Sequence, residues 1–272
     1  MSVKSEQYKL AHVYAVEVIY EITDSANLPL VVGGVDTNTS ERSEYAVKLN
    51  ASERMTVQAR MFELIAAFMA IELELYVVEP VIVEISEEFI DMVKGQDYFL
   101  KCSKSLGYNY GSSFIKGLLI LDNKILLTAK QKEQAQEILA FDMLIGNVDR
   151  NEEKPNMITD GDRLVLLDHE LAFSFVRVLS FLRNSEPWSF NEEDKSIFLK
   201  HCLYTRVKGH INRLDEFCEK MTRFDASFWE SVKSNIPEEW YSQEEFESIR
   251  GHVDLMVANR HDFIQNVKLL LS

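Results

Sequence analysis

The chain has 272 residues, enough for two compact units or one large one with a sizeable core. Hydrophobic residues make up 46% and aromatics 11%, which argues against a disordered chain and for an ordinary soluble globular protein. Acidic residues outnumber basic ones by 44 to 29, and a formal charge of −15 repels phosphate backbones at long range, so no direct nucleic-acid partner is expected. The longest apolar runs, such as Leu64 to Ile71, are too short for a bilayer, and no membrane association is expected. The opening MSVKSEQYKLAHVYAV has scattered charges and no readable secretory signal. Cys102, Cys202 and Cys218 form no C-x-x-C pair, which suits a reducing compartment and a cytoplasmic location. The six histidines show no zinc-ligand spacing.

Val13 to Ile22 alternates and is rich in β-branched residues, and Leu28 to Val32 and Tyr45 to Leu49 read the same way, predicting three strands of an antiparallel meander. Between the last two, Gly33-Gly34 and a polar tract read as a hairpin connection. Ser52 opens a predicted helix with apolar residues at three- and four-residue spacing from Met55 to Leu75. Pro80 to Ile85 and Tyr98 to Leu100 read as strands flanking a short polar helix. KSLGYNYGSSFIKG, with three glycines, reads as a loop at a shift in composition.

Thr128 and Gln131 form a capping-box signature for a helix that Gly146 stops. After the loop IGNVDRNEEKPN comes a predicted hairpin, MIT and RLVLLD around Asp160-Gly161. The chain beyond Phe173 is mostly helical by pattern. Ser242 and Glu245 form a second capping-box signature, and Phe246, Ile249, Val253, Met256, Phe263, Ile264 and Val267 put one stripe on a final helix.

Five separated residues carry the chemical argument. Lys48 sits within the third strand, where an ammonium can hold phosphates as a point charge. Glu63 lies in the apolar helix that follows, and a carboxylate on a buried face needs a partner, for which Lys48 is the natural candidate. Asp149 follows the capped helix, Asn156 closes the next loop, and Asp168 ends the hairpin. One group to orient an attacking hydroxyl and two oxygen donors for magnesium are what phosphoryl transfer requires.

The run FDMLIGNVDRNEEKPNMITDGDRLVLLDHELAF, from Phe141 to Phe173, resembles the catalytic segment of HipA-like kinases, relatives of phosphatidylinositol kinases and protein kinases. The resemblance also takes in the YAVK strand, the Glu63 helix with LYVVEPVIV, the loop GYNYGSSFIKG and IPEEW at Ile236 to Trp240. It implies an α+β, bilobed protein-kinase-like fold. Residues 1–103 would be an N-lobe with an antiparallel sheet and one long helix, and residues 104–272 a mainly helical C-lobe. It further implies ATP and Mg2+ as cofactors, Lys48 on the phosphates with Glu63 as its ion-pair partner, Asp149 as catalytic aspartate, and Asn156 and Asp168 as metal ligands. The turn Thr23 to Leu28 would cover the phosphates through Thr23, Ser25 and Asn27, although it lacks the usual glycines. A serine or threonine hydroxyl of a protein is the implied acceptor, and an antitoxin or regulatory protein the implied partner.

Three positions depart from the family pattern: Asn151 stands where many relatives have histidine, Lys154 occupies the commonest asparagine position, and Glu170 replaces the small residue after L-D-H. These departures keep open a pseudokinase or nucleotide-binding interaction module, and a small-molecule or lipid kinase is a further alternative. Taken singly, Lys48 reads as an exposed strand lysine and the two aspartates as ordinary turn residues; their joint order carries the argument. Ser112 and Ser113, in the glycine-flanked loop, are candidate self-phosphorylation sites. His169 reads as a packed support for Asp168 rather than a base.

Overall fold

The computed structural model describes residues 2–23, 27–179, 181 and 183–272. It is a mixed α+β structure, and among these residues no helix is long and apolar enough to cross a membrane. Five strands close into a barrel: β1 (Ala11–Glu21), β2 (Leu30–Asp36), β3 (Arg42–Lys48), β4 (Pro80–Ile85) and β5 (Gly107–Ser113), in the order β1-β2-β3-β5-β4. Alternation explains the barrel interior. Val13 and Ala15, Leu30 and Val32, Tyr45 and Val47, and Val81, Val83 and Ile85 recur at every second residue and pack into one cluster with Phe89, Val93 and Cys102.

Several local expectations are corrected. The sheet is not wholly antiparallel, because β1 pairs with β4 in parallel, Ala11 opposite Val81 through Tyr14 opposite Glu84, and this pairing closes the barrel. Gly33 and Gly34 are not the hairpin turn. They lie within β2, where a Cβ on Gly34 would run into the Val13 side chain, and the turn is made by the polar residues after Asp36. Tyr98 to Leu100 is no strand, since Phe99–Ser103 forms a short helix. The supposed loop around GYNYGSS is β5, paired with β3 on one side and β4 on the other. Its polar composition hid a strand whose Tyr110 packs on the α1 side while Gly111 faces the barrel interior against Val81 and Val83. The barrel thus uses chain beyond residue 103.

Helix α1 (Val57–Glu72) starts later than Ser52, at the N-cap Thr56, whose Oγ1 accepts from Ala59 N at 3.1 Å. It is buried nearly all round because it lies between the barrel and the rest of the chain. Two short helices follow β4, α2 (Glu87–Met92) and α3 (Phe99–Ser103). The capping box on α4 (Ala129–Leu144) forms as read, with Gln131 N donating to Thr128 Oγ1 at 3.2 Å and Thr128 N to Gln131 Oε1 at 3.0 Å. The expected hairpin is β7 (Met157–Thr159) and β8 (Leu164–Leu166), joined by β6 (Leu119–Ile120) into a small sheet. Leu166 also exchanges backbone hydrogen bonds with Tyr76 and Val78, which ties this hairpin to the segment leading into β4.

Among the described residues the remaining α-helices are α5 (Glu192–Phe198), α6 (Tyr204–Val207), α7 (Leu214–Lys220), α8 (Ala226–Asn235), α9 (Gln243–Ala258) and α10 (Arg260–Leu271). The apolar stripe from Phe246 to Val267 is therefore shared by two helices that break at Asn259. Ser242 makes no side-chain cap, and the Glu245 carboxylate accepts from the Gln58 amide of α1 instead of reaching back to the Ser242 N–H.

Candidate active site

Lys48 is the last residue of β3, opposite Tyr110 of β5, and its Nζ points to α1. There it meets the Glu63 carboxylate directly and Asp168 Oδ1 at 2.9 Å. The other Glu63 oxygen accepts from the backbone N–H of His169 at 3.0 Å, so one buried carboxylate joins β3 to the segment after β8. Burial alone would lower the Lys48 ammonium, yet Asp168, Glu63 and Glu170 outweigh it and hold it well above the ordinary lysine value. Asp168 shows the mirror effect: burial pushes it up, and Lys48, with Arg150 behind it, prevails and pulls it below the usual carboxylate range. Glu63 goes the other way: burial pushes it up to about 7 against the pull of Lys48.

Asp149 and Asn156 face each other across the loop that follows α4. Asn156 Nδ2 donates to Asp149 Oδ2 at 3.5 Å, which leaves the Asn156 amide oxygen as an acceptor. Asn156 and Asp168 both adopt left-handed backbone conformations, with φ of 46° and 61°. Asn and Asp tolerate that region best among non-glycine residues, and such conformations persist where the surroundings over-determine them.

Here the surroundings are dominated by Arg150, which is 1% exposed. Its Nε donates to Asp142 Oδ2 at 2.7 Å. Its Nη1 donates to the carbonyls of Pro155, Asn156 and Leu167, and its Nη2 reaches His169 Nε2 at 3.2 Å. One guanidinium thus fixes the Asp149 to Asn156 loop against the strand that presents Asp168. Asp142 also accepts from Asn147 Nδ2 at 2.9 Å and from His201 Nε2 at 2.8 Å, the latter carrying its proton there because His201 Nδ1 accepts from Leu203 N. His169 is buried and held neutral, with burial and then Arg150 pushing it down to about 3, so it supports rather than titrates.

A cleft of about 920 Å³ opens between the barrel and the β7–β8 hairpin. Ala46, Val78, Met157 and Leu167 give it apolar walls, while Lys48, Asp149, Asn156 and Asp168 line it together. Thr23 also lines it, Ser25 lies outside the described residues, and Asn27 is buried with its Nδ2 donating to Glu170 Oε2. Ser112 and Ser113 border the cleft too, but from β5 rather than a mobile loop: both are in register with β3, and Ser113 N donates to Glu79 O at 2.9 Å. Moving either hydroxyl by a loop swing would break the barrel ladder. The donors near Asp168 are carboxylate and amide oxygens, a set suited to a hard divalent cation.

Three participants, Arg54, Arg150 and Asp142, are given no role by the sequence, and a fourth, Glu170, stands out there only as a departure from the family pattern. Glu170 is 2% exposed and lies 3.5 Å from Lys48 Nζ, and Arg54 approaches its other oxygen at 3.8 Å. Arg150 and Asp142 form the buried hub. Asp142 carries the same signal that exposed Glu63, a carboxylate inside the apolar run ILAFDMLI; nothing in the local pattern marks Arg150 or Arg54.

The family model of the HipA-like kinases matches residues 36–264, from the last residue of β2 into α10. The chain belongs to the HipA-like kinase family. No curated protein matches it. As a HipA-like kinase it falls among phosphotransferases, a class that in general uses a nucleoside triphosphate and a divalent metal. The matched span contains Lys48, Glu63, Asp149, Asn156 and Asp168, whereas the β1–β2 connection with Thr23 and Asn27 precedes it.

Proposed function

We propose that this HipA-like kinase transfers the γ-phosphoryl group of ATP, with magnesium, to a serine or threonine hydroxyl of a protein. The reading includes a bilobed, protein-kinase-like arrangement, with residues 1–103 supplying most of the nucleotide-binding half and residues 104–272 the catalytic half. The observation that carries it is that Lys48, Glu63 and Asp168, joined to one another, line a single cleft together with the Asp149–Asn156 pair. Three unpaired cysteines support a cytoplasmic location.

In this account Lys48 holds the nucleotide phosphates, and Glu63 fixes the ammonium in place while its second oxygen positions the Asp168 loop. Asp168 and the Asn156 amide oxygen would hold magnesium, which when bound neutralises charge developing on the phosphates. Asp149 accepts a hydrogen bond from the acceptor hydroxyl and aligns it. The hydroxyl oxygen bonds to the γ-phosphorus, the bond from that phosphorus to the β–γ bridging oxygen breaks, ADP leaves with the electron pair, and the hydroxyl proton passes to Asp149 and then to solvent. Arg150 keeps the loop and the metal strand in register without touching the reactants.

A second reading, a nucleotide-binding module without turnover, draws on Glu170, whose carboxylate sits on the lysine that the phosphates need. Radiolabelled ATP with magnesium separates the two. Label on the protein itself or on lysate proteins is the expected result, with metabolite-only labelling pointing to a small-molecule kinase. No label together with a melting temperature unmoved by nucleotide would sink both the kinase and the nucleotide-binding readings.

A further inference from the structure

Glu170 is the one member of the Lys48 cluster that phosphoryl transfer leaves without a task. It is almost fully buried, two residues beyond Asp168, and three separate segments of the chain converge on it. Lys48 Nζ lies 3.5 Å from Oε2, Arg54 Nη1 lies 3.8 Å from Oε1, and Asn27 Nδ2 donates to Oε2. A carboxylate whose two oxygens each face a different cation occupies them as two oxygens of a phosphate would. Arg54 is partly exposed and lines the cleft beside Lys48, so the same pair of cations is open to a ligand from the cleft side.

We propose that Lys48 and Arg54 together form a polyphosphate-binding site and that Glu170 is its resident anion, displaced when the phosphates of a nucleotide enter. This rests on the nucleotide-binding reading above. Charge balance favours the exchange. Two cations face the three carboxylates of Glu63, Asp168 and Glu170, so phosphates added with Glu170 in place would raise an already negative excess. Glu63 is tied to Lys48 and to the His169 backbone, and Asp168 is needed for metal, which leaves Glu170 as the group that yields. Arg54 adds what a lysine lacks, a planar fork able to grip two phosphate oxygens at once. Asn27 couples the exchange to the β1–β2 connection: its carbonyl accepts from Ser52 Oγ at 2.9 Å, and among the described residues its buried Oδ1 has no partner, so there the Glu170 contact is its one side-chain hydrogen bond. When Glu170 moves, that connection loses its tie to the metal loop.

The test is a calorimetric titration of wild type, Arg54→Gln and Glu170→Gln with magnesium-ATP, ADP and adenosine. Arg54→Gln should bind ATP and ADP about tenfold more weakly, and Glu170→Gln at least about threefold more tightly, with adenosine affinity unchanged in both. Glutamine at 170 keeps an amide oxygen for Asn27 and removes only the charge. ATP affinity unchanged in Arg54→Gln, or unchanged or weakened in Glu170→Gln, overturns the proposal. If Glu170→Gln does not fold, Arg54→Gln decides alone, since its side chain reaches solvent. A wild-type protein that binds neither ATP nor adenosine removes the nucleotide reading itself; one that binds ATP, with both variants indistinguishable from it, removes only this inference.

Discussion

Two charge clusters meet at the loop carrying Asp168, and they are built on opposite principles. The Arg150 hub is closed: one guanidinium is saturated by Asp142, three carbonyls and His169, and Asp142 in turn is saturated by Asn147 and His201. The Lys48 cluster is open: one ammonium is shared among three carboxylates at the edge of a cleft, with Arg54 as the only nearby supplement among the described residues. A closed cluster is a scaffold, because each of its groups already has a partner and nothing is left for a ligand. An open one is a site, because its charge imbalance is relieved only by something that arrives.

The contrast is broken most severely by opening the closed cluster. Arg150→Met strands the Asp142 carboxylate and three carbonyls, and should cost about 3–5 kcal/mol in urea unfolding, with turnover lost alongside stability. Lys48→Met acts on the other side. Turnover should fall by at least about a hundredfold while the protein still folds, because in the proposed mechanism the lysine acts on the ligand. The variant leaves three carboxylates without their ammonium, and their folded pKa values must rise. A raised carboxylate pKa makes the folded state bind more protons, so the melting temperature of Lys48→Met should increase as the pH is lowered from about 7 to about 5. A flat profile there would mean that the carboxylates had found another cation.

The pH dependence of the closed cluster has the opposite sign. Burial would raise the Asp142 carboxyl, but Arg150 and His201 outweigh it and hold it at about 2, below its ordinary 3.8. A depressed carboxylate stabilises the fold fully above its unfolded value and loses that contribution as the pH falls through the folded one. Wild type should therefore lose stability between pH 3.8 and about 2 through this group, and Asp142→Asn, weaker at neutral pH, should show less loss in that window. The smallest effect belongs to neither cluster: Thr128→Ala removes the capping box of α4 and should cost about 1 kcal/mol with turnover per folded molecule unchanged.

The open cluster was also the more legible of the two in the sequence. Lys48 interrupts an apolar alternation, Glu63 interrupts an apolar helix, and Asp149, Asn156 and Asp168 stand at element ends, so each is conspicuous against its own local pattern. The closed hub is hidden because Arg150 lies in a polar loop, NVDRNEE, where burial leaves no trace in the neighbours; it is buried only because the hairpin folds back over it. Glu170 was visible as an odd residue, but its role depends on Asn27 and Arg54, over a hundred positions away. The barrel was half legible for a similar reason. Hairpin pairing of β1, β2 and β3 follows from adjacency, whereas the parallel β1–β4 pairing and the polar strand β5 are set by which faces α1 and the barrel interior leave to be filled.

In the proposed mechanism Asp149 aligns the acceptor while Lys48 and Asp168 hold the donor. The direct measurement compares Asp149→Asn with wild type for both magnesium-ATP affinity and phosphoryl transfer. ATP affinity should stay within about twofold of wild type while transfer falls by at least about a hundredfold. Transfer at the wild-type rate, or loss of ATP binding in parallel with transfer, would contradict it.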